Sequence, residues 1–233
     1  MTSIKGILFD KDGTLFAFSD TWADWSVSFF TALAPDSVEL RRSLGDKVGF
    51  DWDSKEYKVG SLAVNSAVDE QCRLLATVHP TLDAKQIEEI AFHSLQDTTA
   101  KSVCDLDALM TVFQKRGFTL GVATNDFEDS AHNQMKEVGI HHHFEFICGF
   151  DSGYGAKPAA GMILGFCEKM GLAPHEVAMI GDSTHDLEAG RAAGVGLNVG
   201  VLTGPARSED IAHVADVILD DISHLPAYLV QNG

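Results

Sequence analysis

The sequence predicts an α/β protein, a Rossmann-like parallel sheet core interrupted by an inserted α-helical domain. Three observations carry this prediction. Short apolar runs recur along the chain, helical periodicities separate them, and one long stretch breaks the alternation.

The apolar runs are Ile4 to Phe9, Phe118 to Ala123, Phe144 to Cys148, Val177 to Ile180, Gly196 to Val199 and Asp216 to Leu219. Each has strand length. Several lack the alternation of a half-exposed strand, which predicts burial on both faces, as in a parallel sheet covered by helices. Between them, Leu106, Leu109, Met110 and Phe113 follow helical spacing before Gly117, and Met162, Ile163, Phe166 and Met170 do so before Gly171. From about Phe16 to about Gln96 the alternation stops. Trp22, Trp25, Phe29 and Phe30 share a helical face, Leu62 to Val78 and Lys85 to Ser94 read as further helices, and no strand is evident. The expected division is therefore 1–15 and 96–233 for the core, with 16–95 inserted.

Seventeen basic residues against 34 acidic ones leave a formal charge of −17. Such a surface excludes a broad electrostatic footprint for nucleic acid or an anionic membrane. An anionic ligand would have to be drawn by a few local cations. Cys72, Cys104, Cys148 and Cys167 show no C-x-x-C spacing and read as reduced, buried thiols. The N-terminus lacks a signal-peptide layout, and no run approaches the roughly 20 apolar residues of a membrane span, so a cytoplasmic location is expected.

Four segments fall at the C-terminal ends of predicted strands, where open α/β sheets hold ligands. In Phe9-Asp10-Lys11-Asp12-Gly13-Thr14-Leu15, two carboxylates stand one residue apart, and Gly13 permits a turn that aims both at one place. Such a pair needs a divalent cation or a shared proton to relieve its repulsion. Spacing alone also allows solvated turn acidics, whereas a calcium loop fails for want of its later ligands and closing Glu. In Val122-Ala123-Thr124-Asn125-Asp126, a strand-end hydroxyl can join backbone N–H groups at an anion, or Thr124 or Asn125 can simply cap a helix. In Gly155-Ala156-Lys157-Pro158, the lysine can present a point charge to phosphate oxygens, or lie on a surface loop. In Ile180-Gly181-Asp182-Ser183-Thr184-His185-Asp186, two aspartates four apart open a helix. Hard oxygen ligands in this pattern suit magnesium, and capping alone needs only one of them.

Taken in order, Asp10/Asp12, Thr124, Lys157 and Asp182/Asp186, each at a strand end, the pattern resembles the haloacid dehalogenase-like hydrolase superfamily. It is most similar to the phosphoglycolate-phosphatase-like branch. The most specific parts are the Asp10 segment, Gly-Tyr-Gly-Ala-Lys-Pro at 153–158, and residues 181–186 followed by Ala193-Gly194. The resemblance spans nearly the whole core and likens the helical insertion to that superfamily's mobile cap. It implies a Mg2+-dependent phosphatase for a small phosphorylated metabolite, phosphoglycolate-like or a sugar phosphate. Asp10 would be the nucleophile that forms an aspartyl-phosphate, with Asp12 as general acid and base. Mg2+ would rest on Asp10, the backbone carbonyl of Asp12, and Asp182. Thr124, Asn125 and Lys157 would hold phosphate oxygens, with Ser183 and Asp186 behind them, Asp186 orienting Lys157 or a metal-bound water. Such an enzyme is expected as a monomer or homodimer.

Two departures from the family pattern stand out. Lys11 replaces a usual apolar residue, and Ala159-Ala160-Gly161 replaces a second proline and an acidic residue. Among neighbours of the same fold, Asp12 counts against a dehalogenase. A phosphomutase stays open, as does a phosphonate hydrolase if Lys47, Lys55 or Lys58 forms a Schiff base. A receiver-like signalling module also combines Asp, Thr and Lys around magnesium, but there the acidic cluster does not follow the lysine. Substrate choice is expected in residues such as Arg41, Lys47, Lys55, Lys58, Trp22 and Trp25. The run His141-His142-His143 is expected to be a solvated loop whose rings do not converge.

Overall fold

The computed structural model describes residues 4–58, 61, 66–95 and 100–232. The chain runs from β1 (Gly6–Phe9) into the insertion, which holds α1 (Phe18–Leu33), α2 (Val38–Val48), β2 (Phe50–Asp51), β3 (Glu56–Tyr57), α3 (Val68–Ala76) and α4 (Ala84–Leu95). It returns as α5 (Leu106–Lys115), β4 (Thr119–Ala123), α6 (Glu128–Glu137), β5 (Phe146–Cys148) and α7 (Gly161–Met170). The last part is β6 (Val177–Gly181), α8 (Thr184–Ala193), β7 (Leu197–Val201), α9 (Ser208–Ile211), β8 (Val217–Leu219) and α10 (Leu225–Asn232).

Six strands form one parallel sheet in the order β5-β4-β1-β6-β7-β8. The first strand is thus central, and the chain winds outward from it in both directions. Ile7 and Phe9 point into one apolar cluster with Met110, Phe113 and Val122. Leu8 points the other way, to Met162, Ile163, Phe166 and Met179. Both faces of the strand are covered, which is why its sequence reads as a continuous apolar run. Phe166 lies flat against the sheet because Gly6 and Gly121 leave room for it. A Cβ at Gly121 would fall 2.8 Å from its ring, and one at Gly6 would fall 2.9 Å away. Phe166→Ala should cost about 3–5 kcal/mol of stability, read as a lower urea midpoint, because two glycines beneath the ring cannot refill the space.

The insertion has its own apolar cluster, built from Trp25, Phe29, Phe30, Leu44, Phe50 and Ile87 among others. Phe127 of the core joins it, packing on Phe92 at 5.3 Å and Phe150 at 5.0 Å. The prediction that the insertion contains no strand is corrected by the β2–β3 hairpin, in which Phe50 pairs with Tyr57 and Asp51 with Glu56. Strands of two residues are too short to show alternation. The helix expected from Leu62 is Val68–Ala76, and residues 62–65 lie outside the described ones, as do residues 96–99 around the expected domain boundary. No helix among the described residues is long and apolar enough to cross a membrane. The four cysteines are unpaired, and burial pushes the Cys72 and Cys148 thiols up to about 12, where they are inert.

Candidate active site

The strand order brings the motifs together. Phe9 is in register with Val122 on one side and Ile180 on the other. The residues just beyond, Asp10, Thr124 and Asp182, therefore emerge side by side at the C-terminal edge of the sheet. Asp10 is tied to the third strand of this trio by its N–H, which donates to the Ile180 carbonyl at 2.8 Å. The chain then turns at Gly13, whose φ of +86° and whose position both demand glycine: a Cβ there would lie 2.5 Å from the Asp182 carboxyl.

Lys157 arrives from the loop after β5 and is buried. Its ammonium donates to Asp10 Oδ1 at 2.6 Å, Asp186 Oδ1 at 2.6 Å and the Ala123 carbonyl at 2.8 Å. Burial alone would lower its pKa, but Asp10 and Asp186 outweigh that and hold the lysine charged. Asp186 is itself held by Ser183, whose N–H and hydroxyl both donate to Oδ2, at 3.0 and 2.7 Å. Ser183, not an aspartate, is the N-cap of α8. Asp186 is thus free to face the lysine. Thr124 Oγ1 accepts from the Asp126 N–H at 3.1 Å, which leaves its own hydroxyl proton to donate toward the cleft it lines.

Asn125 makes a contact that was not expected. Its amide clamps the lysine loop, donating to the Lys157 carbonyl at 3.0 Å and accepting from the Lys157 N–H at 2.9 Å. It also lines the cleft.

Lys11 resolves into a buried brace. It is fully enclosed, and its three ammonium hydrogens meet Gln134 Oε1 at 2.6 Å, Asp12 Oδ2 at 2.7 Å and Asp126 Oδ2 at 3.0 Å. The Trp22 ring lies 5.8 Å from the same ammonium. Asp126 and Gln134 come from the segment after β4 and from α6, so Lys11 fixes the Asp12 side chain to the neighbouring strand unit. Lys11→Met should cost about 3–5 kcal/mol in urea unfolding, because it strands Asp126 and Asp12 without a counter-charge. A loss below about 1 kcal/mol would mean the cluster contributes little to folding.

Among the described residues, five carboxylates, Asp10, Asp12, Asp126, Asp182 and Asp186, gather around two ammonium groups, those of Lys11 and Lys157, so acids outnumber cations in the site. Burial, opposed by Lys157 and reinforced by Asp186 and Asp12, raises Asp10 to about 7. Burial with Asp186 and Asp10 raises Asp182 well above its ordinary value, and burial, opposed by Lys11, raises Asp12. A carboxylate oxygen from each of Asp10, Asp182 and Asp186 falls within 4.8 Å of the others. The space around Asp182 is kept by glycines, since a Cβ at Gly204 would come 1.7 Å from its Oδ2. Hard oxygens, excess charge and a glycine-lined approach are what a small divalent cation requires. Asp12 Oδ1 is buried and has no hydrogen-bond partner among the described residues. The Trp22 indole N–H is likewise unpaired, and it lies close enough to favour the charged form of Asp12.

Several contributors were not read from the sequence. Asp126 and Gln134 serve Lys11, and Thr203 donates its hydroxyl to the Gly13 carbonyl at 2.5 Å. A signal for the last existed, because Thr203-Gly204 follows the apolar run of β7, another strand end. Of the expected specificity residues, Trp22 and Trp25 line the cleft, while Arg41, Lys47, Lys55 and Lys58 do not. The triple histidine departs from expectation. Residues 141–143 form a helical turn in which His143 is buried, bonded to Gln114 and Asp107 at 2.8 Å each, and His142 also faces Asp107. His143 is packed on α5, while His142 stays exposed.

Comparison with known proteins settles the family. A model of the haloacid dehalogenase-like hydrolases matches residues 4–194. The chain belongs to this family. It is 27% identical over 200 residues to a putative pyrophosphatase PpaX of Clostridium perfringens, covering 82% of this chain and 81% of that one. It is 26% identical over 240 residues to a phosphoglycolate phosphatase of Haemophilus influenzae, covering 98% and 99% of the two chains. In fold it matches the crystal structure of a putative haloacid dehalogenase-like hydrolase from Bacteroides fragilis, with a TM-score of 0.74, 18% identity, and coverage of 96% and 100%. Within the family, the chain is similar to the phosphoglycolate-phosphatase-like members along its whole length.

Proposed function

We propose that this hydrolase is a magnesium-dependent phosphatase of small phosphomonoesters, with Asp10 as its nucleophile and Asp12 as its general acid and base. The observation that carries the reading is the placement of Asp10. Its carboxylate sits at the end of the central strand, between Thr124 and Asp182, with one oxygen 2.6 Å from the Lys157 ammonium.

In this reading an Asp10 oxygen attacks phosphorus while the ester bond to the alcohol breaks on the opposite side. Asp12, whose pKa burial raises, gives a proton to the leaving oxygen. The anionic Asp12 then takes a proton from water as the water oxygen attacks phosphorus. The bond to Asp10 breaks, releasing phosphate and restoring the carboxylate. Lys157, and Thr124 through its free hydroxyl proton, face the phosphoryl oxygens where charge develops. Asp186 and Asn125 hold Lys157 in place, one from the ammonium end and one from the backbone. Asp10, the Asp12 backbone carbonyl and Asp182 would hold Mg2+, which when bound neutralises phosphoryl charge. The insertion serves as a cap that shields the reacting groups from bulk water.

Phosphate release from a panel of phosphomonoesters, with and without Mg2+, tests the proposal. Release that needs the cation, together with an acid-stable phosphate on the peptide containing Asp10, supports it. A cap-lysine Schiff base finds no support in the cleft, since Lys47, Lys55 and Lys58 are not among its lining residues.

A further inference from the structure

The cleft above Asp10 has two unlike halves. Its floor is the polar constellation just described. Its roof, supplied by the insertion, is mostly ring and carbon, from Phe18, Trp22, Trp25, Tyr57 and Val68, with Ser66 and Gln71 as neutral polar members. The rings form one connected wall, with centroids 6.2 Å apart for Phe18–Trp22, 5.9 Å for Phe18–Tyr57 and 4.8 Å for Trp22–Trp25. The polar tips of two of them are turned into the insertion, where Trp25 Nε1 donates to Ser94 at 2.9 Å and the Tyr57 hydroxyl bonds Ser26 at 2.5 Å. What these two offer the cleft is ring surface.

The insertion's cations are placed elsewhere. Arg41 donates to the Ala34 and Pro35 carbonyls, Arg42 to Asp53 and Arg73 to Asp69. Lys47, Lys55, Lys58 and Lys85 are exposed away from the cleft. Among the described lining residues Lys157 is the one lysine or arginine, and it already serves Asp10 and Asp186. The stretches 59–60, 62–65 and 96–99 contain no lysine or arginine in their sequence.

We infer that the insertion selects an uncharged leaving group, an alcohol with an aromatic or apolar face, and disfavours esters that carry a second anion. This rests on the phosphatase reading and narrows its substrate class. The phosphoryl end finds Lys157 and a place for a divalent cation. A carboxylate or second phosphate at the other end would be desolvated against aromatic rings, near a floor of carboxylates, with no lysine or arginine besides Lys157 among the described lining residues to meet it. An aryl or alkyl group there would bury apolar surface and stack on the rings. The inferred class therefore differs from the substrates in the names of the two relatives above.

The test compares kcat/KM of the full chain, with Mg2+, for benzyl phosphate, 2-phosphoglycolate and pyrophosphate. Benzyl phosphate and 2-phosphoglycolate both release a primary alcohol, so leaving-group chemistry is similar. Benzyl phosphate should be preferred by about tenfold or more over each anion. Gln71→Arg, which brings a cation to the cleft wall, should move the 2-phosphoglycolate to benzyl phosphate ratio upward by about tenfold. Equal or better turnover of 2-phosphoglycolate or pyrophosphate by the unaltered protein would overturn the inference and leave the phosphatase reading standing. Release from none of the three, nor from the wider panel, would overturn both.

Discussion

Asp10→Asn is expected to reduce phosphate release by about 10⁴-fold or more, because the amide has the carboxylate's shape but no charge with which to attack phosphorus. The fold should survive. Lys157 retains Asp186 and the Ala123 carbonyl as acceptors, and the substitution removes a buried acid from a site with too many. The unaltered protein, quenched in acid during turnover of a ³²P-labelled ester, should carry label on the peptide holding Asp10, and the variant should carry none. A variant that kept more than about a hundredth of the activity would show that another group attacks phosphorus.

Stability should depend on pH and on divalent cation together. In the cation-free protein Asp10 titrates at about 7, against 3.8 for an ordinary aspartate. The folded state therefore binds a proton more tightly than the unfolded chain. The stabilisation from that proton is complete below about pH 4 and disappears as pH rises through about 7. The size is at most about 4 kcal/mol from Asp10 alone, with Asp12 and Asp182 shifted the same way and coupled to it. Chelated protein should accordingly melt several degrees lower at pH 8 than at pH 5. Magnesium binds the ionised carboxylates, so it should raise Tm more at pH 8 than at pH 5. Asp10→Asn should flatten both trends. An equal magnesium shift at the two pH values would place the cation away from these carboxylates.

How much of this was legible in the sequence follows from the range of the forces involved. Strand and helix periods are local, and the central strand of a doubly covered sheet has to be apolar on both faces. The runs around Ile7, Val122 and Ile180 could therefore be recognised without knowing their neighbours. Strand ends follow from strands, so Asp10, Thr124, Lys157 and Asp182 could be nominated by position and residue type. Lys157 and Asp10, 147 residues apart, then meet because parallel winding sets β1 between β4 and β6. The hairpin in the insertion escaped because four paired residues hold too little pattern.

Side-chain partnerships were decided only by tertiary structure. Lys11 stood out as a departure, but its neutralisation of Asp12 and Asp126 depends on α6 delivering Gln134 from 123 residues away. The clamp that Asn125 puts on Lys157 was not legible either, because it forms only when the loop after β5 packs against its amide. Whether a charged group is paired, solvated or aimed at a ligand turns on angstrom-scale packing between distant segments, and a linear pattern does not encode that. The same holds for the aromatic roof. The sequence placed Trp22 and Trp25 on one helical face, while the folded insertion turned that face toward Asp10 and set its arginines on other partners. The chain by itself determined which strand ends bring acids, a hydroxyl and a lysine to one cleft. Packing decided what each acid and lysine is paired with, because desolvation makes an unpaired buried charge too costly to leave to chance.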